Sequence, residues 1–236
     1  YIRFHRQGEG YYRETEQAIQ LLLRRLNPAE SLPDLLPSFR PEDTPGAICY
    51  RTTPECHAGF QGGLFGGALG NPEGYITGGP MAYVLPGPFD LQEGRFYLAG
   101  FWRATAEAMV FAGQEGGRVV LPYSAAGVNA VLSPSHDPVE LMLDIRPGQE
   151  IPLIEIRQDD APLDPVVAGR DVFFDGQRAL VQVDRPRMYE LVKLPDYGSH
   201  ELDLIVHVHG LALYAFTFNS CIAPAGGADA EVFTRR

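Results

Sequence analysis

Several side chains in this chain carry reactive groups at short spacing, and each set implies its own chemistry. His207 and His209 stand two apart, so on a strand they share a face and could hold two positions of a metal shell. The remaining ligands would have to come from His200 or distant acids, so surface histidines are the expectation. Cys56 and His57 are adjacent, and neighbours on an extended chain point to opposite sides, which separates a thiol from its base. Ser133, Ser135, His136 and Asp137 contain the residue types of a hydrolytic triad within one proline-flanked turn. Triads assemble from distant segments held on rigid elements, so this reads as a turn. Asp159, Asp160, Asp164 and Asp171 are oxygen donors, but their spacing is not that of a calcium loop. No catalytic residue, metal ligand or cofactor is expected from these sets.

Binding is the better prospect, because sugar rings lay apolar C–H faces on aromatic side chains while amides and acids meet their hydroxyls. Tyr75, Tyr83 and Tyr97 flank a glycine-rich stretch and are the candidate platforms, with Asn129 or Asn219 as the amide. Trp102, the only tryptophan, shares a strand face with Phe96 and Leu98 and is expected in the core. The glycines between Arg51 and Pro80 do not follow a strand and open a helix, so they are no phosphate cradle. They read as a loop, or as a rim that lets backbone approach a ligand.

The elements that must carry these residues are mainly β. Strand-like runs recur at 81–85, 95–105, 108–112, 118–123, 128–132, 139–144, 151–156, 171–174 and 179–183, with turn residues between them. The runs 187–194, 200–208 and 210–218 alternate with turns and predict an antiparallel meander. In the second run Leu202, Leu204, Val206 and Val208 face one way, opposite Glu201, Asp203, Ile205 and His207. About a dozen short strands predict a jelly-roll-like antiparallel β-sandwich. Tyr1 to His5 reads as a strand without a partner, and Thr15 to Leu26 as a helix with Ile19, Leu22, Leu23 and Leu26 on one stripe. Asn27-Pro28 ends that helix, and five prolines between 27 and 47 predict a stiff connector.

The 236 residues carry a formal charge of −11, with 45% hydrophobic and 21% charged side chains. That composition is ordinary for a globular protein, and the acidity without a basic cluster argues against a nucleic-acid partner. No apolar run reaches the ~20 residues of a membrane helix, so no membrane insertion is expected. Cys49, Cys56 and Cys221 form no C-x-x-C; Cys49 and Cys56 are close enough for a loop disulfide in an oxidising compartment, but reduced, partly buried thiols are the expectation.

Gly8-Glu-Gly-Tyr-Tyr-Arg-Glu-Thr-Glu-Gln-Ala-Ile-Gln-Leu-Leu22 resembles the end of the thioredoxin-like domain of DipZ-type cytochrome c biogenesis proteins and related redoxin-family proteins. Thr53-Pro-Glu55, Leu98-Ala-Gly-Phe-Trp102, Val128-Asn-Ala-Val-Leu132, Arg187-Met-Tyr-Glu-Leu-Val192 and Tyr214-Ala-Phe-Thr-Phe218 resemble successive marks of the domain that follows it. The departures are Cys56-His57-Ala58, where that family tends to Thr-Tyr-Leu, and Asn219, where it tends to Gly. The resemblance implies a thioredoxin-fold remnant at 1–26, a linker at 27–47, a carbohydrate-binding-module-like sandwich at 48–224 and a tail at 225–236. It places the redox C-x-x-C upstream of Tyr1 and suggests an extracytoplasmic setting. It implies a non-catalytic accessory module recognising glycan or protein, attached to a thiol-disulfide oxidoreductase. The alternative is a structural domain that packs on the redox domain or mediates self-association. Residues 1–5 would pair with the thioredoxin-like domain or with another chain.

Overall fold

The computed structural model describes residues 2–5, 11–37, 47–62, 66–137 and 151–222. The strand expected at 139–144, the tail and part of the proline-rich connector lie outside these residues. The chain divides into two units, one of residues 1–51 with 220–236 and the other of residues 52–219.

In the first unit the helical stripe forms α1, Tyr12–Leu26. Thr15 turns its hydroxyl onto the Tyr11 carbonyl at 2.8 Å, and Arg24 and Arg25 occupy the last turn, where cations suit the helix dipole. Pro28 then forbids continuation. The chain doubles back along the helix: Gln20 Nε2 donates to the Pro33 carbonyl at 3.0 Å and the Leu36 N–H donates to Glu16 at 2.9 Å. The apolar stripe stays open, with Ile19 52% and Leu26 82% exposed. Residues 2–5 form no strand, contrary to the reading of Tyr1 to His5. The same unit contains a two-stranded sheet of β1 (Ile48–Cys49) and β13 (Cys221–Ile222), in which Cys49 opposes Cys221 and is bonded to it. That disulfide corrects the expectation of reduced thiols. The partner lies 172 residues away, a distance that local spacing does not reveal.

The second unit is mainly β, an antiparallel sandwich-type fold. In chain order its strands are β2 (Cys56–His57), β3 (Met81–Tyr83), β4 (Tyr97–Ala104), β5 (Met109–Phe111), β6 (Gly117–Ser133), β7 (Leu153–Gln158), β8 (Ala161–Pro162), β9 (Val172–Asp175), β10 (Arg178–Gln182), β11 (Arg187–Val206) and β12 (Ala212–Asn219). The ladder runs β2-β12-β5-β4-β6-β11-β7-β10-β9, with β3 on β4 and β8 on β7.

Its spine is the ribbon of β6 and β11, paired from Gly117↔Val206 to Leu132↔Arg187. Along the far side of β6, β4 pairs as far as Val120 and β12 takes over from Gly127. Pro122, which has no N–H to donate, falls in the gap between those partners. Thr53 fills part of that gap: its N–H donates to the Ser124 carbonyl at 2.9 Å, and its hydroxyl accepts the Ser124 N–H at 2.7 Å.

The expected meander is corrected here. The runs 187–194 and 200–208 belong to one strand, whose pairing slips between Lys193 and Gly198 around Pro195. The third run pairs with β6 and not with β11, so the two long strands enclose no three-strand meander. The alternation itself holds: Leu202, Leu204 and Val206 enter the main core together with Phe216 and Phe218. Asp203, on the opposite face, is held by Arg118 through two bonds of 2.6 and 3.2 Å.

Trp102 is 0% exposed. Its indole N–H donates to the Ala99 carbonyl at 2.8 Å, and its ring meets Phe111 edge-on at 5.1 Å. Phe96 and Leu98 are buried beside it in the core, as their shared face required.

Candidate binding face

The glycine-rich segment and its tyrosines form a packed loop. Tyr83 and Tyr97 are each 2% exposed, so neither ring offers a face to a ligand from outside, contrary to the rim expected there. Their hydroxyls are engaged by backbone. Tyr83 donates to the Gly74 carbonyl at 3.1 Å, and Tyr97 accepts the Gln92 N–H at 2.8 Å. Tyr75 is half-buried and accepts the Leu69 N–H at 3.0 Å; burial pushes its hydroxyl up to about 12, against the opposing pull of that hydrogen bond. Two of the glycines are there for clearance. A Cβ at Gly67 would collide with the Tyr75 hydroxyl, and one at Gly70 with the Tyr97 ring. Asn71 locks the base of the loop, donating to the Val84 and Leu98 carbonyls and accepting the Leu98 N–H at 2.7 Å.

The reactive sets from the sequence are dispersed or self-satisfied. Cys56 is buried, and desolvation pushes its thiol up to about 12, which leaves no thiolate near neutral pH. His57 points away from it, 3.9 Å from Glu55. In the Ser133–Asp137 turn, Ser133 Oγ donates to the Ser135 carbonyl and Ser135 Oγ accepts the Asp137 N–H at 3.0 Å. Asp159 binds His200 at 2.7 Å, Asp164 accepts the Val166 N–H at 2.8 Å, and Asp171 serves Arg187 and the Glu190 N–H. Three of the four aspartates therefore serve separate local structures.

Asn129 and Asn219 do come together. They lie on neighbouring strands β6 and β12, where Asn129 opposes Thr217 and stands two residues from Gly127, the partner of Asn219. Asn129 Nδ2 donates to Asn219 Oδ1 at 3.2 Å and to Thr217 Oγ1 at 3.3 Å, and the Thr217 hydroxyl reaches Met188 Sδ at 3.7 Å. Across β11, Glu190 stands opposite Asn129, accepts the Arg170 N–H at 3.1 Å and pairs with the Arg170 guanidinium at 3.3 Å. The result is a polar row across three strands: the buried amides set its geometry, and the half-buried Thr217 and the exposed Met188 and Arg170 present it to solvent. Alternation marked Asn129 as a sheet residue, while Asn219 lay just past the run 210–218. The link to Glu190 depended on the β6–β11 register and had no local signal.

Residues 53–219 match the family described as thioredoxin like C-terminal domain. The chain belongs to that family. A search of curated proteins finds no match. Among solved structures, this thioredoxin-like C-terminal domain is similar to a family two carbohydrate esterase from Cellvibrio japonicus, at 11% identity and a TM-score of 0.37, over 55% of this chain and 32% of that one. It is also similar to a two-domain esterase active on acetylated mannans, co-crystallized with mannopentaose, at 13% identity and a TM-score of 0.33, over 86% of this chain and 44% of that one. The chain spans less than half the length of these structures, and no activity transfers at such identities.

Proposed function

We propose that residues 53–219 are a non-catalytic accessory binding module of a thioredoxin-like thiol-disulfide oxidoreductase of the DipZ-type group, with glycan or protein as its ligand. The observation that carries this reading is the family match over 53–219, in a chain whose one free cysteine among the described residues is buried with its thiol held protonated. Redox chemistry then belongs to a C-x-x-C outside this sequence, and α1 to the end of the thioredoxin-like domain. The ligand face is the row of Asn129, Thr217, Asn219 and Glu190, in which the buried amides and carboxylate hold the half-buried Thr217 and the exposed Arg170 where they can meet hydroxyls or peptide groups. Tyr75, Tyr83 and Tyr97 act behind it as supports of the glycine-rich loop. The Cys49–Cys221 bond supports an oxidising, extracytoplasmic setting. A jelly-roll connection of the strands completes the proposal.

A second reading is favoured by the open apolar stripe of α1, with Ile19 and Leu26 largely exposed. There the chain is an interaction domain that packs on the redox domain or on a second copy. The two are separated by titrating the chain with neutral oligosaccharides while following backbone amide shifts. Saturable shifts at 217–219 and 188–190, weakened at least fivefold by Thr217→Val, fit the binding module. Unperturbed sugar spectra with concentration-dependent shifts confined to 12–26 fit the interaction domain.

A further inference from the structure

We infer that a cleft on the other part of the β12 surface is a site for a carboxylate-bearing sugar, a uronate. It extends the binding-module reading to a second site and a ligand class, and rests on that reading only in taking a saccharide as ligand. The register builds the cleft. Arg103 on β4 opposes Val110 on β5, Val110 opposes Ala212 on β12, and Ala212 opposes Ser133 on β6. Directly opposed residues point to the same side, so this row shares one face. Val110, Ala212 and Ala108 form a small apolar cluster separate from the main core, with Tyr214 packed against it. Of that cluster Val110 reaches the cleft, whose apolar lining is completed by Pro80, Phe111, Ala112 and Pro134; the Ser135–Asp137 turn and the His209-Gly210 corner border it, and it holds about 420 Å³, the size range of small-ligand clefts.

The lining gathers an arginine and two histidines in a chain of net charge −11. Arg103, His136 and His209 line it with one acid, Asp137. Arg118, Arg170, Arg178 and Arg187 each carry a carboxylate partner, whereas Arg103 has no ion pair among the described residues. A planar guanidinium with a free fork matches a carboxylate through two parallel hydrogen bonds. The Tyr214 hydroxyl holds His136 Nδ1 at 3.1 Å, which fixes the ring and leaves Nε2 for a ligand. Asp137 disfavours a bare anion, and a histidine ring nitrogen can accept a hydrogen bond from a hydroxyl. Apolar floor, one free guanidinium and nearby acceptors together describe a sugar acid better than a simple anion or a neutral sugar.

The test is calorimetric titration of the full chain with glucuronate, glucose, acetate and inorganic phosphate at one ionic strength. Glucuronate should bind saturably, with glucose and acetate each at least tenfold weaker. Arg103→Gln should weaken glucuronate at least tenfold and Arg103→Lys less, while Thr217→Val leaves it unchanged. Arg103 is exposed, so both variants should melt with the parent; His209→Gln gives an independent arm with a loss of at least threefold. No saturable glucuronate binding, equal binding of glucose, acetate or phosphate, or indifference to both Arg103→Gln and His209→Gln overturns the assignment. Loss of glucuronate with Thr217→Val instead would return all sugar binding to the sheet face.

Discussion

Reducing the Cys49–Cys221 bond should destabilise residues 52–219 more than any single core substitution. Cys49 lies three residues before that unit and Cys221 two residues after it, so the cross-link closes the unfolded unit into one loop. With the cysteines 172 positions apart, the entropy withheld from the unfolded chain is about 17 cal/mol/K, or about 5 kcal/mol at 25 °C. That is a large part of a domain's net stability of roughly 5–15 kcal/mol. For a domain of this size each kcal/mol moves the melting midpoint by about 2–4 °C, so the drop should be about 10–20 °C. The assay is thermal unfolding by circular dichroism with and without dithiothreitol, beside the Cys49→Ser/Cys221→Ser double variant. Cys56 stays a buried thiol in every sample and does not confuse the comparison. The double variant should melt low and ignore reductant. Midpoints within about 2 °C of each other in oxidised and reduced parent would refute the reasoning, and so would a double variant that still responds to reductant.

Trp102→Ala should cost about 3–5 kcal/mol through lost burial and an unpaired Ala99 carbonyl, read from urea midpoints. Tyr83→Ala should cost about 3 kcal/mol, because the ring is buried under the loop, and a change below about 1 kcal/mol would restore the exposed-rim reading. Alkaline pH should weaken the fold through Cys56. Its folded thiol is pushed up to about 12 from 9.0, so between those values the unfolded chain has released a proton that the native state retains, and stability falls as pH rises. Parent and Cys56→Ala should therefore diverge above pH 9 in urea melts, by roughly 1.4 kcal/mol per pH unit at most. Parallel curves would remove Cys56 as the cause.

What could be read from the sequence was what local periodicity encodes. The 3.6-residue stripe gave α1, and the two-residue alternation gave Leu202, Leu204 and Val206 their buried side and Trp102 its place beside Phe96 and Leu98. Pairing was less visible. Pro195 and Gly198 look like a turn, yet β11 continues past them because β6 offers partners on both sides of the slip. The Cys49–Cys221 bond and the Glu190–Asn129 register join residues far apart in the chain, and no short motif announces either. The tyrosines were misplaced for a physical reason. A tyrosine beside glycines suits an exposed rim, but it suits equally a loop whose backbone N–H and C=O groups satisfy its hydroxyl, and bare glycines let the rings pack close.

The most direct test of the glycan-binding account is an amide-shift titration of the isotope-labelled chain with neutral oligosaccharides. The account expects saturable shifts clustered at Thr217, Asn219, Asn129 and Glu190, with the buried surroundings of Trp102 unmoved. Titrations that leave the 217–219 and 188–190 amides in place at saturating sugar would contradict it.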